Sequence, residues 1–175
     1  MYETLIIFSS TDGHTRKIAN FIKSSSKKKD KINIVSIDEA RSENLSNYKN
    51  LILGASIRYG DHNKKVYSFV RQNQSFLNNK NSAFFSVNVV ARKLDKNTPD
   101  TNPYIKKFLK KTNWYPKKSA VFAGKVDYPN YRFFDKHIIR FIMYLTKGPT
   151  DISKSYEFTD WHKIKQFSEE IDNFS

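Results

Sequence analysis

Five short apolar runs recur along the chain, most of them bounded by polar or turn-forming residues. Several of these runs are continuously apolar rather than alternating, as strands are when helices cover both faces of a parallel sheet. We therefore predict five buried strands, at residues 5–8, 32–37, 50–55, 83–87 and 120–124.

Apolar residues at helical spacing occupy most of the segments between these strands. The predicted helices cover about residues 14–26, a short piece near 42–47, about 63–78 and about 102–112. A last helix is expected after Thr159-Asp160, because Trp161, Ile164, Phe167 and Ile171 follow at spacings of three and four. Alternating strands and helices joined by right-handed crossovers predict a doubly wound α/β sheet, in which ligands bind beyond the carboxyl ends of the strands. The loops after strands one, three and four are therefore the expected site.

Composition narrows the chemistry that such a site can carry. A length of 175 residues predicts a single domain over residues 1–175, and the absence of Cys excludes disulfides, thiolate nucleophiles and Cys-ligated metals. The four His residues lack metal-ligand spacing, so we predict no metal, and the start of the chain lacks the pattern of a secretory signal. A net charge of +14 indicates an anionic partner: nucleic acid, anionic lipid or an acidic small molecule.

The loop after the first strand, Ser9 to Thr15, is rich in hydroxyl groups and runs directly into a helix. Unpaired backbone N–H groups and the positive end of the helix dipole make such a helix start a phosphate cradle. The loop lacks GxGxxG and the GK[ST] of a P-loop, which disfavours a dinucleotide or a nucleoside triphosphate. It resembles the flavodoxin phosphate loop, and that resemblance implies FMN. Asp12 departs from the pattern, because its carboxylate would repel a phosphate and must point away. The alternative is that Ser10, Asp12 and Thr15 only cap the helix.

Two further loops are expected at the same edge of the sheet. The first, Gly54 to Gly60, has a glycine at each end that would let backbone approach a planar ligand, and Tyr59 is placed to stack on a flavin ring. The second, Ser86 to Lys93, offers backbone donors to the ring and two cations. Taken singly, Tyr59 could be an ordinary surface aromatic, and Arg92 and Lys93 a solvated basic pair.

A segment at about 126–155 exceeds what the minimal fold needs. If a helix starts at Arg132, one of its sides carries four cations, Arg132, Lys136, Arg140 and Lys147. The opposite side carries Phe134, Ile138, Phe141, Ile142 and Leu145. Such a helix is too short and too charged to span a bilayer, so we expect it to lie at an anionic membrane surface. The alternative is that its apolar side packs on the domain.

Several of these stretches together resemble one enzyme family. They are Ala55 to Gly60 (ASIRYG), Val90 to Lys93 (VARK), Tyr128 to Asp135 (YPNYRFFD) and Thr159 to Trp161, with Ser9 to Thr15 as a general flavodoxin signal. The chain is similar over nearly its whole length to the bacterial menaquinone-dependent, oxygen-independent protoporphyrinogen IX dehydrogenases of haem synthesis.

The resemblance implies a flavodoxin-like, five-stranded parallel sheet of order 2-1-3-4-5, one FMN, and oxidation of protoporphyrinogen IX by menaquinone or ubiquinone. It also implies peripheral attachment to the cytoplasmic face of the inner membrane, with no nucleic-acid partner. The alternatives are a flavodoxin-like electron carrier, an NAD(P)H:quinone reductase, and a basic nucleic-acid-binding domain.

We predict FMN contacts in all three loops, with the flavin carrying the chemistry and no catalytic side chain identified. The predicted contacts are Ser10, Thr11, Asp12, Gly13, His14 and Thr15, then Ser56, Ile57, Arg58, Tyr59 and Gly60, then Ser86, Val87, Asn88, Val89, Val90, Ala91 and Arg92. The candidates for the porphyrinogen carboxylates are Arg58, Arg92 and Lys93, chosen for their location and charge.

Overall fold

The computed structural model describes residues 2–174 and places a parallel sheet at the centre of the protein. Its strands are β1 (Thr4–Ser9), β2 (Ile32–Ser36), β3 (Asn50–Arg58), β5 (Asn81–Val87) and β6 (Lys118–Phe122), with β4 (Asp61–His62) added to β3 as a short antiparallel hairpin. The parallel strands run in the order β2-β1-β3-β5-β6. The five parallel strands follow the predicted order 2-1-3-4-5, but the sheet has a sixth, antiparallel strand, β4, that was not predicted.

Helices α1 (His14–Ser25), α2 (Lys64–Gln72), α3 (Gln74–Asn79), α4 (Pro103–Thr112) and α6 (Trp161–Asp172) cover the two faces of the sheet. A further helix, α5 (Phe133–Leu145), lies outside these two layers. The segment predicted as one helix at 63–78 is two, because the backbone leaves helical geometry at Asn73. The short piece near 42–47 consists of two single 3-10 turns, at residues 39–42 and 45–47.

Alternation along the strands explains why two separate cores form. In β1, Leu5 and Ile7 belong to one core, with α2, α3 and α4, while Ile6 belongs to the other, with α1 and α6. Successive side chains of a strand point to opposite faces, so a continuously apolar run can supply both cores. The result is a rigid three-layer body that fixes where each strand ends.

The segment after β6 forms a third, smaller core of its own. It contains β7 (Lys125–Asp127), a 3-10 turn at 128–130, α5, and β8 (Ser155–Glu157), which pairs with β7. Val126, Tyr128 and Met143 are buried there, and Val89 from the loop after β5 packs against them. This segment is therefore built onto the carboxyl edge of the sheet, where it contacts one of the predicted site loops.

Candidate functional site

A cavity of about 610 Å³ opens at the carboxyl edge of the sheet, within the range of about 300–1,000 Å³ typical of small-molecule and cofactor sites. The loops after β1, β3 and β5 all line it, as predicted from the sequence, and β7 and α5 supply the remaining walls. The cavity contains Ser10 to Thr15, Ser56 to Gly60, and Val87 to Val90.

The first loop presents unsatisfied donors to this cavity. Gly13 takes the left-handed conformation, with φ of +80°, and α1 begins at the next residue, so the free N–H groups of its first turn face the loop. The hydroxyls of Ser10 and Thr15 are buried without a hydrogen-bond partner anywhere in residues 2–174. Buried polar groups normally have partners, so two orphaned hydroxyls beside a helix start fit an anionic group such as a phosphate.

Asp12 does not oppose a phosphate here, because a cation neutralises it. Its Oδ2 lies 2.7 Å from Nη1 of Arg58, in the loop after β3. The departure from the usual flavodoxin loop is thus compensated by an arginine 46 residues away in the sequence.

His14, the first residue of α1, has a defined hydrogen-bonding arrangement. Its Nε2 lies 2.7 Å from Oγ1 of Thr159, and that hydroxyl already donates to the carbonyl of Ala123. A hydroxyl has one hydrogen to give, so His14 must donate from Nε2. Burial lowers the pKa of His14, with Lys17 and Lys125 acting in the same direction and Glu157 opposing them. His14 therefore ties the end of the loop after β1 to Thr159, just before α6.

The loop after β3 is a tight hairpin turn. Tyr59 and Gly60 have φ of +52° and +82°, as the two central residues of a type I′ turn require. The left-handed conformation costs free energy at a tyrosine, so Gly, Asn or Asp would satisfy the turn better. Tyr59 is half-exposed, lines the cavity, and donates its hydroxyl to Asp135 of α5.

Gly54, the other glycine of this loop, does not lie against the cavity. It sits inside β3 opposite Phe85 of β5, and a Cβ there would come within 1.9 Å of the Phe85 ring. Packing between strands, not approach to a ligand, requires this glycine.

The loop after β5 is held by a buried polar network. Asn88 accepts from the backbone N–H of Ala91 and from Nδ2 of Asn102, both at 3.1 Å. Oγ of Ser86 lies 3.0 Å from Nε2 of His62 and 3.3 Å from Nδ2 of Asn88. Three predicted FMN contacts, Ser86, Ala91 and Arg92, lie outside the cavity lining, as does Lys93, which was predicted to bind the porphyrinogen. Ser86 and Ala91 are buried behind the loop, so they support it without facing the cavity.

Helix α5 has one face toward the cavity and one toward solvent. Ile139, Ile142 and Met143 line the cavity, which corrects the prediction that Ile142 is membrane-facing. The outer face exposes six large apolar side chains: Phe133, Phe134, Ile138, Phe141, Tyr144 and Leu145. Four of these were predicted, and the exposed Arg132, Arg140 and Lys147 flank them. Within residues 2–174, no helix combines the length and apolar character needed to cross a bilayer.

Several cavity residues escaped the sequence reasoning. They are Lys17, Tyr104, Gly124, Lys125, Val126, Asp127, Tyr131, Ile139, Met143 and Glu157. Most belong to the segment after β6, whose apolar residues were assigned to a membrane surface and not to the cavity. The YPNY motif at residues 128–131 was the available signal, because it marks a rigid turn beside the site.

Comparison with known protein families adds to this geometry. A profile described as "Flavodoxin domain" matches residues 5–153. The chain is 43% identical over 173 residues to a protoporphyrinogen IX dehydrogenase (quinone) of Escherichia coli strain K12. The aligned region covers 97% of this chain and 94% of that protein. It is 44% identical over 169 residues to a Leishmania major protein of the same description, spanning 95% of this chain and 73% of that protein. Among solved structures, oxidised flavodoxin 1 from Bacillus cereus superimposes with a TM-score of 0.55 at 18% identity, over 99% of each chain, which shows a shared fold.

Proposed function

The chain belongs to the flavodoxin-domain family and, within it, to the quinone-dependent protoporphyrinogen IX dehydrogenases, and from this we propose that it is an FMN-dependent oxidoreductase of haem synthesis. It oxidises protoporphyrinogen IX to protoporphyrin IX with a respiratory quinone, menaquinone or ubiquinone, as acceptor. The porphyrinogen loses six electrons and six protons, so three quinones are each reduced to the quinol. The observation that carries the proposal is likeness over 97% of the chain.

The residues of the cavity fit FMN. The phosphate would be held by the hydroxyls of Ser10 and Thr15, which lack protein partners within the described chain, and by the N–H groups at the start of α1, where the N-cap residue supplies no side-chain cap. The ring would lie between the β3–β4 turn and the loop Val87 to Val90. Bound there, FMN supplies the two-electron chemistry that links the porphyrinogen to the quinone.

The protein's own contribution is to orient the reactants and to exclude water. Ile139, Ile142 and Met143 form an apolar wall of the same cavity that the polar loop after β1 lines. The porphyrinogen macrocycle and the quinone ring are both largely apolar, so this wall matches both reactants better than it matches a hydrated protein partner. A small electron-carrier flavodoxin has no need of such a wall, and the strongly basic charge of +14 also differs from the acidic character usual in those carriers.

An anaerobic assay of the FMN-loaded chain tests this function. With a quinone present, we expect protoporphyrinogen to yield the porphyrin, detected by its fluorescence, while NADH in place of porphyrinogen gives no quinol. Turnover with NADH alone would favour an NAD(P)H:quinone reductase. A chain that neither carries a yellow chromophore nor binds added FMN would exclude both enzymes.

We further propose that the outer face of α5 lies in an anionic membrane surface, at the cytoplasmic side of the inner membrane. Its six exposed apolar side chains lie together on one helix, so they form a patch, whereas exposed apolar residues on a protein surface are normally scattered singly. The flanking cations suit anionic headgroups, and quinone is dissolved in the same lipid. The inner face of the helix lines the cavity, so this placement brings the acceptor close to the site.

Co-sedimentation with vesicles tests the membrane proposal. Phe134 and Tyr115 are both 77% exposed, but only Phe134 belongs to the α5 face, which makes Phe134→Ser and Tyr115→Ser a matched pair. Burying a phenylalanine contributes about 1.5–3 kcal/mol, so Phe134→Ser should weaken partitioning into phosphatidylglycerol vesicles by roughly tenfold or more. Equal loss in both variants, or binding to neutral vesicles as tight as to anionic ones, would contradict the proposed orientation and its charge dependence.

A further inference from the structure

Two arginines, each from a different loop of the site, contact the two ends of α5. Arg58 lies at the β3–β4 turn and reaches Asp135 in the first turn of the helix. Arg92 ends the loop after β5 and reaches Thr146, the residue that follows the last turn. Both arginines were predicted to bind porphyrinogen carboxylates, so their actual partners change what they can do.

The guanidinium of Arg58 contacts two carboxylates and two aromatic rings. Nη1 lies 2.7 Å from Asp12 and Nη2 lies 3.2 Å from Asp135, while the rings of Tyr59 and Tyr131 are 5.4 and 5.0 Å away. One cation thus links the phosphate loop, its own hairpin and α5. Two carboxylates already satisfy it, so a third carboxylate from a substrate would have to compete with both.

Arg92 caps the opposite end of the helix. Its Nη2 donates to the carbonyl of Thr146 at 2.8 Å and to Oγ1 of Thr146 at 3.2 Å, and Nη1 donates to the carbonyl of Val89 at 3.0 Å. The last carbonyls of a helix lack internal partners and carry the negative end of its dipole, so a guanidinium stabilises them. Gly148 leaves room for this contact, because a Cβ there would lie 2.8 Å from Nη2.

We propose that Arg58 and Arg92 are positioning residues that fix α5 as the apolar wall of the cavity, and that they do not bind the substrate's carboxylates. Asp135 at the start of the helix and Arg92 at its end have the signs of charge that the helix dipole favours, and Arg58 pairs with Asp135. Between these two contacts, Ile139, Ile142 and Met143 face the cavity. The position of the wall is thereby tied to the two loops that form the rest of the site.

Amide hydrogen exchange of the FMN-loaded protein tests the proposal without measuring turnover. Asp135→Asn removes the anion that Arg58 holds, and exposed ion pairs contribute about 0.2–1 kcal/mol, so exchange in Phe133–Leu145 should rise by a factor of roughly 1.4 to 5. Arg92→Lys loses the forked contact to Thr146 and Val89, where hydrogen bonds to a charged group contribute about 1.5–3 kcal/mol, so the increase should be roughly tenfold or more. Lys118→Gln, which removes a surface ion pair with Glu170 at 3.4 Å, is the control and should leave this exchange unchanged.

Steady-state kinetics separates positioning from substrate binding, and this arm rests on the proposed function. If Arg58 bound a substrate carboxylate, Asp135→Asn would free it from a competitor and lower KM for porphyrinogen. If Arg58 positions α5, the same variant should leave that KM unchanged or raise it, and kcat should fall as the wall loosens.

The outcomes are distinct. Faster exchange in both variants, with no fall in KM, supports the proposal. Unchanged exchange in α5 in folded Arg92→Lys and Asp135→Asn proteins, or a lower KM in Asp135→Asn, overturns it. A protein that shows the expected exchange but no porphyrinogen turnover leaves the positioning contacts standing while rejecting the proposed function.

Discussion

At the scale of single residues, the hydroxyls of Ser10 and Thr15 are the sharpest sign of a bound anion. Each is buried with no hydrogen-bond partner among residues 2–174, and leaving a buried hydroxyl unpaired costs about 1–3 kcal/mol. When a ligand binds and pairs with these hydroxyls, the protein–ligand complex no longer carries this free-energy cost. The two hydroxyls should therefore matter for affinity and not for the stability of the ligand-free chain.

Substitutions at these hydroxyls make that distinction measurable. Ser10→Ala and Thr15→Val should weaken FMN binding by roughly tenfold or more each, because hydrogen bonds to a charged group contribute about 1.5–3 kcal/mol. The midpoint of thermal unfolding of the FMN-free protein should stay the same or rise. Ser24→Ala is the control, since that hydroxyl donates to Phe21 within α1 and far from the loop. A loss of stability without FMN, at unchanged affinity, would mean that the hydroxyls only cap the helix.

His62 gives a prediction about pH. It is 4% exposed, with Nε2 at 3.0 Å from Ser86, and burial lowers its pKa from 6.5 to about 4, against the opposing effect of Asp61. Between these values the unfolded chain binds a proton that the folded protein excludes. The contribution of His62 to stability is therefore complete above about pH 6.5 and falls by roughly 3 kcal/mol as the pH drops to about 4.

Denaturant titrations at several pH values check this contribution. His62→Gln can keep a hydrogen bond to Ser86 but cannot gain the proton, so its free energy of unfolding should fall less steeply between pH 6.5 and 4. His162→Gln, at an exposed position on α6, should follow the unsubstituted protein. Parallel slopes for all three proteins would show that His62 does not titrate in this interval.

The residue scale is also where sequence reasoning was least complete. The hydroxyl-rich loop, and the need for the Asp12 carboxylate to point away from a phosphate, could be predicted from neighbouring residues alone. The partners of Arg58 and Arg92 could not, because Asp135 and Thr146 lie far along the chain, in a segment whose position no local pattern specifies. Charge and location made both arginines candidates for substrate binding, whereas pairing in the fold assigns them to α5.

At the scale of elements, the longer strands were predictable and the shortest were not. The five parallel strands follow from apolar runs, because a strand buried on both faces has few polar positions. β4, β7 and β8 are two or three residues long and carry charged or polar side chains, so no periodicity marks them. They form only because the turn at Tyr59-Gly60 and the pairing of β7 with β8 bring them together.

Replacing Gly54 tests how tightly the central strands β3 and β5 pack. Its absent Cβ leaves space for the ring of Phe85, which is fully buried and packs in turn against Phe122 and Phe167. The ring cannot move away without displacing those neighbours. Gly54→Ala should therefore destabilise the protein by about 1–3 kcal/mol, as overpacking of a core typically does.

Gly124→Ala is the matched control for this substitution. A Cβ at Gly124 would lie 3.3 Å from Cγ1 of Val87, so a shift of a few tenths of an ångström accommodates it. Its cost in the free energy of unfolding should stay below about 1 kcal/mol. Equal destabilisation by the two substitutions, measured by denaturant titration, would show that the sheet adjusts at Gly54.

At the scale of the whole molecule, charge and apolar surface act together. The net charge of +14 favours approach to any anionic surface, but it cannot set the orientation of the protein on that surface. The outer face of α5 can set that orientation, because its apolar side chains lie together on one helix. The two contributions should respond differently to salt, since ions screen charge and leave apolar burial largely intact.

Salt and substitution can therefore be varied together in the vesicle assay. Raising the ionic strength from about 0.1 to about 1 M shortens the screening length from about 10 to about 3 Å, so binding of the unsubstituted protein should weaken but persist. Phe134→Ser should lose binding at both ionic strengths by a similar factor, because burial of that ring does not depend on screening. If high salt released the unsubstituted protein completely, and Phe134→Ser behaved identically at low salt, attraction would be purely electrostatic. The apolar face of α5 would then need another occupant, and the quinone would have to reach the cavity without the helix lying in lipid.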